Sequence, residues 1–237
     1  MNETANLKLP LVAPAQAQKH VTVNEALARI DAALQLAVIS DEETTPPVLA
    51  QEGDAYVVAA GGVNDWAGKD GQLAFYLNGG WDFLEPKAGW RIWVTARAVR
   101  LVHDGSGWVE GVVALSPGGA AMRAQIEEVD LVLSGGGAAE LTGFVIPANS
   151  CVFGVTGRVL QDITGTLGSW TLGVEGAEDR YGSGLGLGAG SWVTGLTGQP
   201  QVYYSATRLK LSAAGGDFSG GTVRLAVHLM QFDLPEA

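Results

Sequence analysis

The first 50 residues contain no glycine, although the 237-residue chain carries 34 of them, roughly twice ordinary usage. A glycine-free opening reads as helix and extended arm, and a glycine-rich remainder as short strands with tight turns, so the architecture is expected to change near residue 50. Cysteine is nearly absent. The single Cys151 excludes an intrachain disulfide framework and a multi-thiolate metal site. It sits in Cys151-Val152-Phe153-Gly154-Val155, an apolar strand pattern that predicts a buried, inert thiol. Basic residues are few, with 14 Lys and Arg against 25 Asp and Glu and a formal net charge of -11. That balance argues against nucleic acid or an anionic bilayer as partner, since both need a basic surface. No run approaches the ~18 uninterrupted apolar residues of a membrane span, so no membrane insertion is expected. Met1-Asn2-Glu3-Thr4 shows neither the basic region nor the apolar stretch of a signal peptide, which predicts synthesis in the cytoplasm.

Reactive constellations are also scarce. His20, His103 and His228 are far apart, with no pair at metal-ligand spacing. No Gly-x-Ser-x-Gly elbow, P-loop or His-Glu-x-x-His is present. Gly182-Ser183-Gly184-Leu185-Gly186-Leu187-Gly188 echoes a dinucleotide loop but lacks the β-α-β context, and is read as a flexible inter-strand loop. Glu175, Glu178 and Asp179 form a carboxylate cluster. Glycoside hydrolysis needs two carboxyls held across a cleft, so the cluster fits either a glycosidase pair or solvated loop acids. It lacks the spaced Asp/Asn ladder of a calcium loop. The expectation is a protein with no catalytic residue, no metal and no cofactor.

Apolar residues make up 47% of the chain, enough for a sizeable core. Five of the seven tryptophans fall between Trp66 and Trp108. Two close matching phrases, Tyr76-Leu77-Asn78-Gly79-Gly80-Trp81 and His103-Asp104-Gly105-Ser106-Gly107-Trp108. Asn-Gly and Asp-Gly are strong hairpin signals, because a primed turn needs positive φ at both central residues. Residues 53–110 therefore read as a degenerate duplication of a β-hairpin unit. In Trp90-Arg91-Ile92-Trp93-Val94, the two-residue period puts Trp90, Ile92 and Val94 on one face and Arg91 with Trp93 on the other.

Before that module, residues 7–20 read as an arm punctuated by Pro10 and Pro14. Thr22 and Glu25 fit a capping box that opens a helix. Val23, Leu27, Ile30, Leu34 and Ala37 recur at steps of 4, 3, 4 and 3, a heptad-like stripe with Asp31 and Gln35 off it. The stripe fits a helix packed on its own domain, or a self-associating helix at the base of an oligomer, and two heptads are too short to be stable alone. Asp41 to Pro47 is read as a linker.

Residues 111–140 read as transitional, with a short helix over 122–129 and a flexible joint at Ser134-Gly135-Gly136-Gly137. Beyond 141 the pattern is strand-like. Val223, Leu225, Val227 and Leu229 alternate with Arg224, Ala226, His228 and Met230, and Thr207, Leu209 and Leu211 with Arg208 and Lys210. Strand segments every 10–15 residues with glycine turns suggest a sandwich or jelly roll. Within it Asp179, Arg180, Tyr181, Trp192, Tyr203 and Tyr204 are candidate ligand-binding residues, since sugar rings lay C–H faces on aromatic rings while polar groups take the hydroxyls. The competing reading places these aromatics, and Trp170 above all, in the sandwich core.

The segment from Leu9-Pro10-Leu11 through Lys19-His20-Val21-Thr22-Val23-Asn24-Glu25-Ala26-Leu27 resembles the opening of a domain family of unknown function. That family occurs in phage structural proteins and in phage-like gene transfer agents, notably their head spike fibres. The similarity continues through Pro46-Pro47, Gly53-x-x-Tyr56-x-Val58, Gly80-Trp81, Pro86-x-x-Gly89-Trp90 and Gly107-Trp108, covering about residues 7–110. The C-terminal half resembles the companion domain of such spikes less sharply, through Ile146-Pro147-Ala148 and Tyr203-Tyr204-Ser205. The resemblance implies a particle-borne adhesin that attaches to a recipient cell's surface polysaccharide, and it transfers no catalytic residue.

The expected architecture is mainly β. An N-terminal arm and helix (1–45) carries the anchoring or oligomerisation residues Val23, Leu27, Ile30 and Leu34. A small Gly-Trp β-hairpin module (46–115), a linker (116–140) and a C-terminal antiparallel, jelly-roll-like β-sandwich (141–237) follow. The expected role is a spike or fibre protein on the surface of a phage-like particle. It would form a homo-oligomer, trimer or pentamer, docked to a spike base or capsid vertex. Two alternatives stand: a capsule-degrading glycosidase using the carboxylates, and a purely architectural particle component such as a tail fibre part.

Overall fold

The computed structural model describes Thr4, Leu11 and residues 19–34, 36–134 and 136–235. The proline-punctuated arm before Lys19, Leu11 excepted, the side chains of Lys19, His20, Val21 and Thr22, and Gln35 and Gly135 lie outside the described residues. The chain forms two compact units, residues 1–112 and 113–237, both built mainly of strands.

The first unit opens with α1 (Lys19–Ala33), followed by β1 (Ala37–Val38) and β2 (Ala55–Val57). A 3-10 turn (Asn64–Trp66) precedes β3 (Leu73–Leu77), β4 (Gly80–Leu84), β5 (Arg91–Val94), β6 (Val99–His103) and β7 (Trp108–Glu110). These make two small sheets, β2-β3-β4 and β1-β5-β6-β7, antiparallel except for the β1–β5 pair. The duplication read from the sequence therefore corresponds to two three-stranded meanders. Their turns differ. Asn78 and Gly79, at φ 54° and 79°, both take positive φ as a primed two-residue turn requires. In the second phrase Asp104 instead accepts from the Ser106 and Gly107 amides at 2.7 and 2.8 Å, so its side chain closes a longer loop.

Strand β5 keeps the expected alternation, with Ile92 and Val94 buried and Arg91 and Trp93 exposed. Ile92 and Val94 join Val38, Val57, Leu73, Phe75 and Leu101 in one cluster. Trp66, fully buried, packs edge-on against Trp81 at 5.1 Å and beside Tyr56 at 5.5 Å in a second. Trp108 donates its indole N–H to the Gly71 carbonyl at 3.0 Å, tying β7 to the loop before β3. Most of the tryptophans of this region are thus structural.

The segment from Asp41 to Pro47, expected to be a linker, is bound into this unit. Arg97 bridges Asp41 and Glu110, each at 2.7 Å, and the Ala59 and Val63 amides donate to the carbonyls of Glu43 and Thr44. The expected boundary at 45/46 therefore falls inside the first unit. Helix α1 is present, but it packs the other way round. Asp31 and Ala32 are buried, whereas Val23, Ile30 and Leu34 are 43%, 51% and 55% exposed and Leu27 is half-buried. Small Ala32 lets the helix approach its own unit closely, and Arg29 pairs with Asp82 of β4 at 2.7 Å. The apolar stripe is left facing outward.

Strand β8 (Val112–Leu115) begins at the last residue of the first unit, and the second unit holds the rest of it with β9 (Ala121–Val132), β10 (Ala139–Ile146), β11 (Ser150–Gly165) and β12 (Ser169–Val174). It continues with β13 (Ala177–Leu185), β14 (Trp192–Tyr203), β15 (Thr207–Ala214) and β16 (Phe218–Phe232). The sheet orders are β14-β11-β16-β9-β8 and β10-β15-β12-β13. From β9 onward every connection except the β12–β13 hairpin changes sheet, the strand order of a jelly roll with β8 added at one edge. Residues 116–140 are accordingly not a linker. The segment expected as a helix over 122–129 lies inside β9, where Met122 to Val132 pair with Phe232 to Thr222 of β16. That long antiparallel ladder overrides the helical tendency of a glutamate-containing stretch.

The sandwich core joins inward residues of both sheets. Val152, Val155, Val159, Val223, Leu225, Val227 and Leu229 come from one sheet, and Trp170, Leu172, Leu209 and Leu211 from the other. The alternation read in β15 and β16 is the one observed. Trp170 is fully buried and donates to the Gly186 carbonyl at 3.0 Å. Cys151 is half-buried rather than buried, because Val152 takes the inward position. The glycine-rich 182–188 stretch divides between β13, which runs to Leu185, and the turn beyond it.

Candidate functional site

One face of the five-stranded sheet supplies the sandwich core, and period-two alternation sends the intervening side chains to the other face. Strand register then places side chains in rows across that open face. Trp192 of β14 stands opposite Arg158 of β11, Arg158 opposite Arg224 of β16, and Arg224 opposite Asp130 of β9. The next row runs Thr194, Thr156, Ala226 and Glu128. Directly opposed residues have Cβ atoms about 5 Å apart, so each row is contiguous. Together they line a depression of about 310 Å³ walled by Trp192, Arg158, Arg224, Glu128, Thr156 and Thr194. Trp192 is 67% exposed, an indole standing in solvent beside two guanidinium groups.

The two arginines are not equivalent. Arg224 forks onto Asp130 at 2.6 and 2.7 Å and lies 3.5 Å from Glu128. That bidentate bond raises the guanidinium's already high pKa and holds the Asp130 carboxyl below its ordinary range. Arg158 has no carboxylate partner among the described residues. On the same face Thr156 Oγ1 lies 3.0 Å from His228 Nε2. The depression thus offers one aromatic face, one uncommitted cation, and hydroxyl and carboxylate groups able to exchange hydrogen bonds with a polyhydroxylated ligand.

The residues expected from the sequence to form one platform are divided by the fold. Tyr181 and Tyr203 are 3% and 7% exposed, and their hydroxyls bond to each other at 2.7 Å inside the sandwich. Their assignment as ligand contacts is corrected: burial, which together with that bond raises the Tyr181 pKa, keeps them inside the core. Arg180 leans over the Tyr203 ring, with Nη1 3.3 Å from Gln201 Oε1 and 3.4 Å from the Tyr203 hydroxyl. Asp179 and Tyr204 are exposed, Tyr204 by 81%. Of the six residues, Trp192 alone lines the depression.

The candidate hydrolytic carboxylates meet the same cation. Lys210 Nζ lies 2.7 Å from Glu175 and 3.2 Å from Glu178. Its hydrogen bond is the main reason the Glu178 carboxyl is held below the ordinary range, the opposite of what a general acid at neutral pH needs. Among the described residues no group of three or more His, Cys, Asp or Glu could hold a metal ion. No described helix is long and apolar enough to cross a membrane.

Arg158, Thr156, Thr194 and Glu128 were not singled out by their local sequence. Each lies in an ordinary strand pattern, and only the pairing of four separated strands brings them together.

No curated protein sequence matches the chain. Among solved structures, a chain of the cyanophage Pam1 capsid asymmetric unit aligns with a TM-score of 0.33 and 22% identity, over 50% of this chain and 92% of that one. Residues 23–109, all within the first unit, match the model of the family described as a protein of unknown function (DUF2793).

Proposed function

We propose that this chain is a structural spike or fibre protein of a phage-like particle, of the gene transfer agent head-spike kind. In this reading the jelly-roll unit attaches the particle to surface polysaccharide of recipient cells. The observation that carries it is the open depression at Trp192, where an exposed indole is ringed by Arg158, Arg224, Thr156, Thr194 and Glu128. Exposed indoles beside polar side chains suit sugar rings, which present apolar C–H faces and peripheral hydroxyls. The particle assignment draws on the motif resemblance over residues 7–110 and on the stripe of exposed Val23, Ile30 and Leu34 with half-buried Leu27.

The stripe associates copies of the chain into a homo-oligomer that docks on other particle proteins, and several shallow sites per oligomer then grip a polymer by avidity. The protein binds without turnover, and it works at the particle surface.

The test is sedimentation of the full-length protein with encapsulated cells and with the same cells stripped of capsule, while reducing ends are assayed in the supernatant. The proposal predicts co-sedimentation with encapsulated cells only and no rise in reducing ends. Equal sedimentation with both cell types contradicts polysaccharide attachment, and sustained release of reducing ends contradicts binding without turnover.

A further inference from the structure

We infer that the depression on the open face of the five-stranded sheet selects a carboxylated sugar, with the ring stacked on Trp192 and its carboxylate paired with Arg158. The inference rests on the polysaccharide reading and deepens it. Arg158 and Arg224 are directly opposed across β11 and β16, a like-charge arrangement that costs stability in a sheet. Asp130, and behind it Glu128, neutralise Arg224 alone. Arg158 is left as a cation without a partner among the described residues, on a chain of net charge -11. An arginine in that position favours a planar anion that takes two parallel N–H bonds, which is the geometry of a carboxylate. On its other flank stands Trp192, 67% exposed, so anion and apolar ring contact are offered side by side. Thr156 and Thr194 supply hydroxyl partners on the adjacent row. A hexuronate ring carries these features together: an apolar C–H face, peripheral hydroxyls and one carboxylate.

The experiment measures binding of the full-length protein to oligogalacturonate, oligoguluronate and hyaluronan oligosaccharides, each beside its carboxyl-reduced form. At least one carboxylated oligosaccharide is expected to bind about tenfold more tightly than its reduced counterpart, the scale of one charge-assisted hydrogen bond. Arg158→Gln is expected to abolish that difference, Trp192→Ala to weaken both forms, and Arg208→Gln, an exposed arginine on β15, to change neither. Equal affinity for native and reduced forms overturns the carboxylate inference and leaves polysaccharide attachment standing. So does failure of every carboxylated probe while the protein still sediments with encapsulated cells. Binding of carboxylated probes that is insensitive to Trp192→Ala overturns it as well, because it reports unspecific attraction of anions. Failure of all probes together with failure to sediment removes both readings.

Discussion

The hydroxyls of Tyr181 and Tyr203 lie 2.7 Å apart, one on β13 of the four-stranded sheet and the other at the end of β14 of the five-stranded sheet. The bond crosses the sandwich, and both side chains are buried. Removing the Tyr203 hydroxyl strands that of Tyr181 in a dry interior, which costs about 1–3 kcal/mol, whereas without the Tyr181 hydroxyl that of Tyr203 keeps the Arg180 guanidinium as a donor at 3.4 Å. Tyr203→Phe is expected to lower stability by that amount, Tyr181→Phe by less, and the double variant by less than the sum. Urea denaturation of the three variants checks this coupling. Strict additivity would show that the bond contributes nothing.

Close approach of the same two strands makes Gly195 indispensable. A Cβ at this position would collide with the Tyr181 carbonyl oxygen, while one at Gly188 in the β13–β14 turn meets nothing within 4 Å. Gly195→Ala is expected to destabilise the second unit by about 1–3 kcal/mol through overpacking. Gly188→Ala should stay within about 0.5 kcal/mol of the parent. Thermal melts of the two variants distinguish them.

The proposed self-association through helix α1 can be tested apart from stability. Ile30→Glu with Leu34→Glu alters residues that are mostly exposed, so the first unit should keep its melting temperature while the proposed oligomer dissociates in sedimentation equilibrium. Ala32→Leu enlarges a buried position and should cost about 1–3 kcal/mol of stability. Unchanged sedimentation of the charged variant would show that the stripe joins no copies.

Acid sensitivity in the first unit follows from two carboxyls held below the ordinary aspartate range. Asp70 is held there by amide hydrogen bonds from Gly61 and Gly62 at 3.0 and 2.9 Å. For Asp104 burial pushes the carboxyl up, but hydrogen bonds from Gly107 and Ser106 outweigh it. A pKa depressed in the folded state stabilises fully above the unfolded value of about 4 and loses that stabilisation as pH falls through the folded value. Unfolding midpoints should therefore be flat from pH 7 to about 5 and fall below about 4. Asp104→Asn should flatten part of that fall.

Legibility in the sequence followed the range of the interactions involved. The alternations of β5, β15 and β16 are local and legible in the sequence, as is the existence of α1, whose period is equally local. Which face of α1 packs depends on what lies against it, and the buried Asp31 and Ala32 defeat any inference from apolarity alone. β9 is a strand because β16 pairs with it along its length, a partner about a hundred residues away. At the site, Tyr203 ends β14 with its side chain buried, whereas Tyr204 lies in the bend beyond the strand and is 81% exposed, so no platform uses both. The row Trp192, Arg158, Arg224 and Asp130 needs the register of four strands and was beyond the sequence.

The most direct measurement follows the indole N–H resonances of the seven tryptophans while purified capsular polysaccharide is titrated into the full-length protein. The account predicts that the Trp192 resonance moves saturably, while those of the buried Trp66 and Trp170 stay fixed and the melting temperature of Trp192→Ala equals the parent's. A Trp192 resonance that stays still while the polysaccharide binds, or binding undiminished in Trp192→Ala, would contradict it.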